Sequence, residues 1–351
     1  MTKTNAGRFF EDFSIGEVIQ HATPRTLTSG DAALYTSLYG SRFALNSSDE
    51  FARSVGYSQA PIDDLLVFHT VFGKTVPDIS LNAIANLGYA DCRFFTPVYP
   101  DDTLSVSSEI IGLKLNSSGK NGVVYVRTKG INQLGQPVLE FVRWVMVHKK
   151  DLNCQSPDPH IPELPKAVEP EILAQGLPAI NNSTWSTELS GSPYRWQDYN
   201  IGEKIDHVDG MTIEEAEHQL ATRLYQNTAK VHFNQHSQGK TEQGRRLIYG
   251  GHIISLARSF SFNGLGNACH IHAINAGRHV APCFAGDTVY AWTEVLGKEP
   301  ISGREDVGAL RLRAIATKDL PCTDFPYKTS DEAAYIEGVI LDLDYWAVMP
   351  I

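Results

Sequence analysis

The chain is poor in the features that mark several large protein classes. It has five cysteines, Cys92, Cys154, Cys269, Cys283 and Cys322, odd in number, widely spaced and without a Cys-x-x-Cys. A disulfide framework or a structural zinc site does not follow from that pattern; free thiols in a cytoplasmic protein do. No run approaches the roughly 18 consecutive apolar residues of a membrane span. The opening Met1-Thr2-Lys3-Thr4-Asn5 is followed by no apolar segment, so it does not read as a secretory signal. Positive charge is not in excess: 30 Lys and Arg stand against 40 Asp and Glu, a net charge of −10. A basic field for nucleic acid is therefore lacking. A Gly-rich phosphate loop is also lacking, which argues against a nucleotide cofactor.

What remains is ordinary globular material, 42% hydrophobic and 20% charged, which speaks against disorder. At 351 residues the chain exceeds the length at which one hydrophobic core stops growing, so two domains are expected.

The halves resemble each other. Phe10-Glu11-Asp12-Phe13-Ser14-Ile15-Gly16-Glu17 recurs as Trp196-Gln197-Asp198-Tyr199-Asn200-Ile201-Gly202-Glu203, an offset of 186 residues. The same offset joins His21 to His207, Leu38 to Leu224, Tyr39 to Tyr225 and Ile62 to Ile248. One deletion later, Arg93 matches Arg278, Pro97 matches Pro282, and Asp102-Thr103 matches Asp287-Thr288. Both halves close on an apolar strand around Trp144 or Trp346. A repeat this long means one domain used twice rather than a solenoid. The expected boundaries are 1–155, a Pro-rich linker over 156–192 that follows the surface, and 193–351.

Each half has the same coarse layout. Thr28 or Ser29 is placed to cap a helix through Tyr39, and Thr212 one over Glu214–Leu224. Apolar helices are expected over Leu65–Lys74 and Ile253–Phe262. Strand patterns follow at Val123–Val126, Leu139–Met146, Val289–Trp292 and Leu310–Ala316, with Gly119, Gly135, Gly303 and Gly308 marking turns. An apolar helix followed by a strand meander folds most simply as α+β, an antiparallel sheet wrapped around a buried helix.

Phe94-Phe95-Thr96-Pro97-Val98-Tyr99-Pro100-Asp101-Asp102-Thr103 and His279-Val280-Ala281-Pro282-Cys283-Phe284-Ala285-Gly286-Asp287-Thr288 resemble a signature strand and turn of the MaoC-like (hydratase 2) enoyl-CoA hydratases. The resemblance spans nearly the whole chain and implies a tandem (double) hot-dog fold. The strings Tyr35–Leu45 and Val67–Asp78 are similar to the mesaconyl-CoA hydratase (β-methylmalyl-CoA dehydratase) branch of that family.

The resemblance implies a site in the loop after the first helix of the second half. His232 falls where the family has its catalytic histidine, and Asn227 where it has an aspartate. The first half carries Asn46 and Ser41 at those places, so the second half is expected to hold the chemistry and the first to shape the acyl pocket. His232 suits a base that activates water. Asn227 cannot act as an acid but can orient water or a carbonyl. The proton donor is His232 itself after it has taken water's proton, or a residue from elsewhere, with Asp63 and Asp64 as candidates. Gly250 and Gly251, opening an apolar helix after Tyr249 and before His252, are expected to present oxyanion donors. Arg42 or Arg258 is expected to meet a carboxylate on the substrate. His252, His270, His272 and His279 invite a metal reading, but no recognisable ligand spacing joins them, and none is expected.

The implied activity is reversible hydration of an enoyl-CoA, mesaconyl-CoA foremost, with CoA as part of the substrate and no other cofactor. Another 2-enoyl-CoA, thioester hydrolysis, or acyl-CoA binding without catalysis are the alternatives. The expected partners are the acyl-CoA and further copies of the chain, with neither nucleic acid nor membrane.

Overall fold

Local signals start the first helix as expected. After strand β1 (Val18–Thr26), Thr28 caps α1 (Ser29–Tyr39): its Oγ1 accepts from the Asp31 N–H at 3.2 Å, and the Asp31 carboxylate accepts from the Thr28 N–H at 2.8 Å. Gly40 ends the helix at φ 62°, a left-handed conformation that glycine takes without strain. Short helices α2 (Ala44–Ser47) and α3 (Asp49–Ser54) lead to α4 (Asp64–Thr75), capped by Asp63. Every residue of α4 from Leu65 to Thr75 is buried, as a helix apolar on all sides requires. It runs on into a π-helical turn over Val76–Ser80. Strands β2 (Ala83–Phe94), β3 (Thr103–Leu115), β4 (Asn121–Ile131) and β5 (Pro137–His148) complete the half.

The chain, described here by a computed structural model over residues 3–155 and 157–351, then repeats the plan. Met1, Thr2 and Ser156 lie outside the described residues, and with them the start of the N-terminal reading and the first linker position. A short helix α5 (Thr187–Ser190) sits in the connecting stretch. There follow β6 (Lys204–Asp206), β7 (Met211–Thr212), α6 (Glu215–Leu224), α7 (Lys230–Phe233), α8 (Gln235–Gln238), α9 (Gly250–Phe260) and the distorted turn α10 (Phe262–Leu265). Strands β8 (His270–His279), β9 (Thr288–Pro300), β10 (Val307–Lys318) and β11 (Val339–Pro350) close the half.

Three local expectations are corrected. Thr212 pairs with Thr288 in β7 rather than capping α6, whose N-cap is Glu214 without a side-chain bond. Gly308 lies inside β10, not in a turn, and glycine is needed there because a Cβ would overlap the Trp196 indole. Helix α9 also begins three residues earlier than its apolar run, at the two glycines.

All strands pair antiparallel in one sheet of order β1-β3-β4-β5-β2-β8-β11-β10-β9-β6, with β7 on β9. The halves meet at β2 and β8, where Tyr89 faces Gly277 and Cys92 faces Ile274. Each half-sheet packs on its own apolar helix, and one buried cluster runs through both. Matching positions touch across the join: the Tyr39 and Tyr225 hydroxyls lie 2.7 Å apart, and His69 Nε2 lies 2.8 Å from Ser255 Oγ.

The linker does more than follow the surface. Val168, Leu173, Leu177, Ile180 and Trp185 are buried and form a second cluster with Phe51, Val55, Trp346 and Val348. Its backbone is tied down as well. Val168 accepts from Trp346 Nε1 at 3.0 Å and donates to Asn275 Oδ1 at 2.8 Å. No helix among the described residues is long and apolar enough to cross a membrane.

Candidate active site

A cavity of ≈ 300 Å³ opens at the seam between the halves. The first half contributes Phe72 from α4, Val76 and Ser80 from the π-helical turn, Tyr89 from β2 and Arg143 from β5. The second half contributes Asn227, His232, Tyr249, Gly250 and His279. The wall is otherwise mostly aliphatic, including Val145, Val231, Ile253 and Ile340, as suits an acyl group.

His232 sits on α7 and is half-buried, because it opens onto the cavity. Its Nδ1 lies 2.8 Å from the Leu247 carbonyl oxygen. A carbonyl only accepts, so Nδ1 carries the hydrogen and Nε2 keeps its lone pair. Desolvation pushes its pKa down to about 4, against a smaller raising effect of the Leu247 bond. The imidazole is therefore neutral at pH 7, the form a general base needs.

Asn227 is buried just past the left-handed Gln226 (φ 54°), which turns the chain out of α6. Its Oδ1 accepts from the Ala229 N–H at 3.2 Å. Its Nδ2 has no partner among the described residues, although Asn227 lines the cavity. A buried donor without an acceptor is costly, and a ligand oxygen or a water would satisfy it.

Tyr249 caps α9, its N–H donating to His218 Nε2 at 2.9 Å. Gly250 then opens the helix on the cavity wall. The first N–H groups of a helix have no intrahelical acceptor, and the dipole there favours negative charge. A Cβ on Gly250 would overlap the His279 ring, and one on Gly251 the Tyr249 and His69 rings. Gly250 lines the cavity; Gly251 is buried directly behind it and does not.

The family model described as mesaconyl-CoA hydratase matches residues 1–323. The chain belongs to the mesaconyl-CoA hydratase family. It is 61% identical over 348 residues to the β-methylmalyl-CoA dehydratase of Chloroflexus aurantiacus, covering 99% of this chain and 98% of that one. It is 57% identical to the mesaconyl-CoA hydratase of Cereibacter sphaeroides, covering 99% of each. Among solved structures, a putative MaoC domain protein dehydratase from Chloroflexus aurantiacus superposes with a TM-score of 0.96 at 60% identity, covering 100% of this chain and 99% of that one. A conserved hypothetical protein of Mycobacterium tuberculosis, described as a double hotdog fold, gives 0.74 at 25% identity over 98% and 99%. The tandem hot-dog architecture expected from the sequence is thereby established.

In this family member several expected residues stand away from the cavity. Neither arginine expected to meet a carboxylate lines it. Arg258 stacks its guanidinium 3.6 Å over the Phe43 ring and donates to the Ala268 carbonyl, and Arg42 is exposed on the surface. His252, on α9, is buried away from the cavity, with Nδ1 2.9 Å from the Tyr39 hydroxyl. Asp63 is spent on capping α4, accepting from the Leu65 N–H at 2.9 Å. Asp64 accepts from the Ile271 N–H at 3.0 Å and lies 3.1 Å from His270 Nδ1.

Asp64 marks where a second cavity would stand, since it matches Gly250 in the repeat. That place is reduced to ≈ 10 Å³. The linker fills it with Gly176, Leu177 and Pro178. Gly176 takes φ 75° there, and a Cβ on it would overlap the Phe95 carbonyl. The four histidines of the metal reading are dispersed: His270 bonds Tyr57, His272 the Gln175 carbonyl and His279 the Tyr89 hydroxyl. Among the described residues no three His, Cys, Asp or Glu side chains gather to hold a metal ion.

Sequence reasoning gave no substrate role to Phe72, Tyr89, Arg143 or His279, the last named only in the metal reading. His279 Nε2 lies 3.3 Å from the Tyr89 hydroxyl, and burial pushes its pKa down to about 4. Arg143 is fully buried, with burial lowering its pKa to about 10, so it remains cationic at neutral pH. Its signal was present: an arginine inside the apolar strand Leu139–Met146 calls for a reason, as Arg258 on its helix did.

Proposed function

We propose that the cavity takes the acyl end of mesaconyl-CoA and adds water reversibly across its double bond, giving β-methylmalyl-CoA. The observation that carries the reading is the pinned imidazole of His232, a neutral base with a free Nε2 on the wall of a largely apolar cavity.

In the forward direction Nε2 takes a proton from water while the water oxygen bonds to C3, the carbon β to the thioester. The π electrons move onto the thioester oxygen, which develops enolate character. The Asn227 amide and the opening N–H group of α9 at Gly250 are the donors for that oxygen. The imidazolium then returns its proton to C2, so one residue serves as base and acid and the balance needs no further reactant. The second half supplies this chemistry. The first half supplies the wall around the acyl group through Phe72, Val76 and Tyr89.

The test is the purified chain with mesaconyl-CoA. The enoyl absorbance should fall as a product one water heavier appears by mass spectrometry. Release of free CoA thiol without that product would mean thioester hydrolysis and end the reading.

A further inference from the structure

Among the described residues, Arg143 is the only charged side chain on the cavity wall once the histidines are neutral. It comes from β5 of the first half, while the reacting groups come from the second. Its donors meet only neutral oxygens within the chain. Nη2 reaches Thr75 Oγ1 at 2.9 Å and Ser80 Oγ at 3.3 Å, and Nη1 reaches Asn86 Oδ1 at 3.5 Å. Phe72 lies under the guanidinium at 4.3 Å. Nε has no partner. Buried charges in proteins are paired, and this one has no carboxylate beside it among the described residues.

The repeat adds a second, independent observation. Trp144 faces Gly88 across the β2–β5 pairing, and Trp346 faces Ala273 across β8–β11. Those pairings match one half to the other and place Tyr345 where Arg143 stands. The halves differ in this residue in the same sense as in their cavities. The arginine lines the open cavity, while its uncharged counterpart Tyr345 is buried in the core and lines neither the open cavity nor the reduced one.

We propose that Arg143 holds the distal carboxylate of the acyl group and so restricts the site to CoA thioesters of dicarboxylic acids. The inference rests on the hydratase reading and deepens it. An incoming carboxylate supplies the missing counter-charge and accepts from the free Nε–H. An acyl chain ending in a methyl group leaves the guanidinium buried and unpaired, which is how a polar site rejects an apolar analogue. Thr75 and Ser80, at the end of α4 and in the π-helical turn, fix the plane of the guanidinium.

The experiment compares three thioesters: mesaconyl-CoA, its distal carboxamide, and 2-methylbut-2-enoyl-CoA of the same geometry, in which a methyl replaces the carboxylate. Each is assayed for hydration and, by calorimetry, for binding, with the wild-type chain and Arg143→Met. The wild type should prefer the acid by roughly 100-fold in kcat/KM over both analogues. Arg143→Met should lose about that factor on the acid, mainly through KM, and lose nothing on the methyl analogue. Equal losses on acid and methyl analogue in a folded variant would overturn the proposal. Should the variant not fold, the wild type decides alone: acid and amide handled equally would also overturn it. Failure of the hydratase reading looks different. The wild type would then leave mesaconyl-CoA unhydrated, and its binding preference between acid and amide would still decide the role of Arg143.

Discussion

Tyr39 and Tyr225 occupy matching positions of the two halves, and their hydroxyls share a hydrogen bond of 2.7 Å at the centre of the molecule. The contact lies where the ends of α1 and α6 meet between the buried helices α4 and α9. The relationship is symmetric in sequence but not in its surroundings. Tyr39 also faces His252 Nδ1 at 2.9 Å, whereas no comparable second partner is seen for the Tyr225 hydroxyl among the described residues. The two halves have thus kept a common axis while their environments diverged.

That asymmetry ranks two variants. Tyr39→Phe strips a partner from both Tyr225 and His252, and Tyr225→Phe strips one from Tyr39 alone. Burial makes each unmet group cost about 1–3 kcal/mol, so Tyr39→Phe should be the more destabilising. Urea unfolding of both variants and the double variant measures this, and the double variant should cost less than the sum. A larger loss for Tyr225→Phe would contradict the ranking.

The backbone beside these tyrosines repeats the asymmetry. Ser259 on α9 donates to the Tyr39 carbonyl at 2.6 Å. Its match on α4 is Gly73, packed so closely on the Tyr225 carbonyl that a Cβ would overlap the oxygen. Ser259→Ala loses one neutral hydrogen bond, about 1 kcal/mol. Gly73→Ala must push α4 away from the second half, at about 1–3 kcal/mol or more. Thermal unfolding should show the larger shift for Gly73→Ala, with the cavity wall at Phe72 and Val76 disturbed as well.

His232→Gln keeps a polar side chain but no base. Turnover should fall by at least roughly 100-fold at similar KM, the usual scale for a general base. The pH dependence follows from the direction of the shift. The neutral form is active, and burial holds the pKa at about 4. The free-enzyme profile of kcat/KM should be level across neutral pH and fall only as pH drops toward that value. An acid limb centred near 6.5 would mean that the imidazole is not desolvated in this way.

The sequence made one half of the site legible and hid the other. His232, Asn227, Tyr249 and Gly250 lie within about 25 residues of one another, so the repeat offset and the family pattern reached them together. Helices α1 and α4 were legible from capping and from apolar periodicity. Phe72, Tyr89 and Arg143 reach the cavity only because β2 pairs with β8 and brings the first half across the seam. No local pattern encodes that pairing. Arg258 misled for an instructive reason: a charge on an apolar helix did need explaining, and Phe43 and the Ala268 carbonyl explain it. The linker read as a polar spacer because its Pro content outweighs five scattered apolar residues that turn inward only in the folded chain.

Four buried histidines, His69, His207, His218 and His272, shape the chain's response to acid. Desolvation holds His69 at about 3, His207 at about 4, His218 at about 2 and His272 at about 4. In the unfolded chain each returns to about 6.5. Between that pH and the folded values the unfolded state binds protons that the folded state does not, so stability rises with pH through the window. It is fully present above about 6.5 and is lost as pH falls toward 4. Asp63 works in the opposite sense, since burial raises it to about 6 and its protonation favours the folded state below that pH. One opposing carboxyl against four histidines leaves the net slope positive. Unfolding midpoints measured from pH 7.5 down to pH 4.5 should therefore decline steadily below roughly 6.5. His272 holds the linker carbonyl of Gln175 at 3.1 Å, so the stretch around Gly176 should become protease-sensitive early in that decline. A midpoint that stays level to pH 4.5, with the linker still protected, would contradict the desolvated state of these four imidazoles.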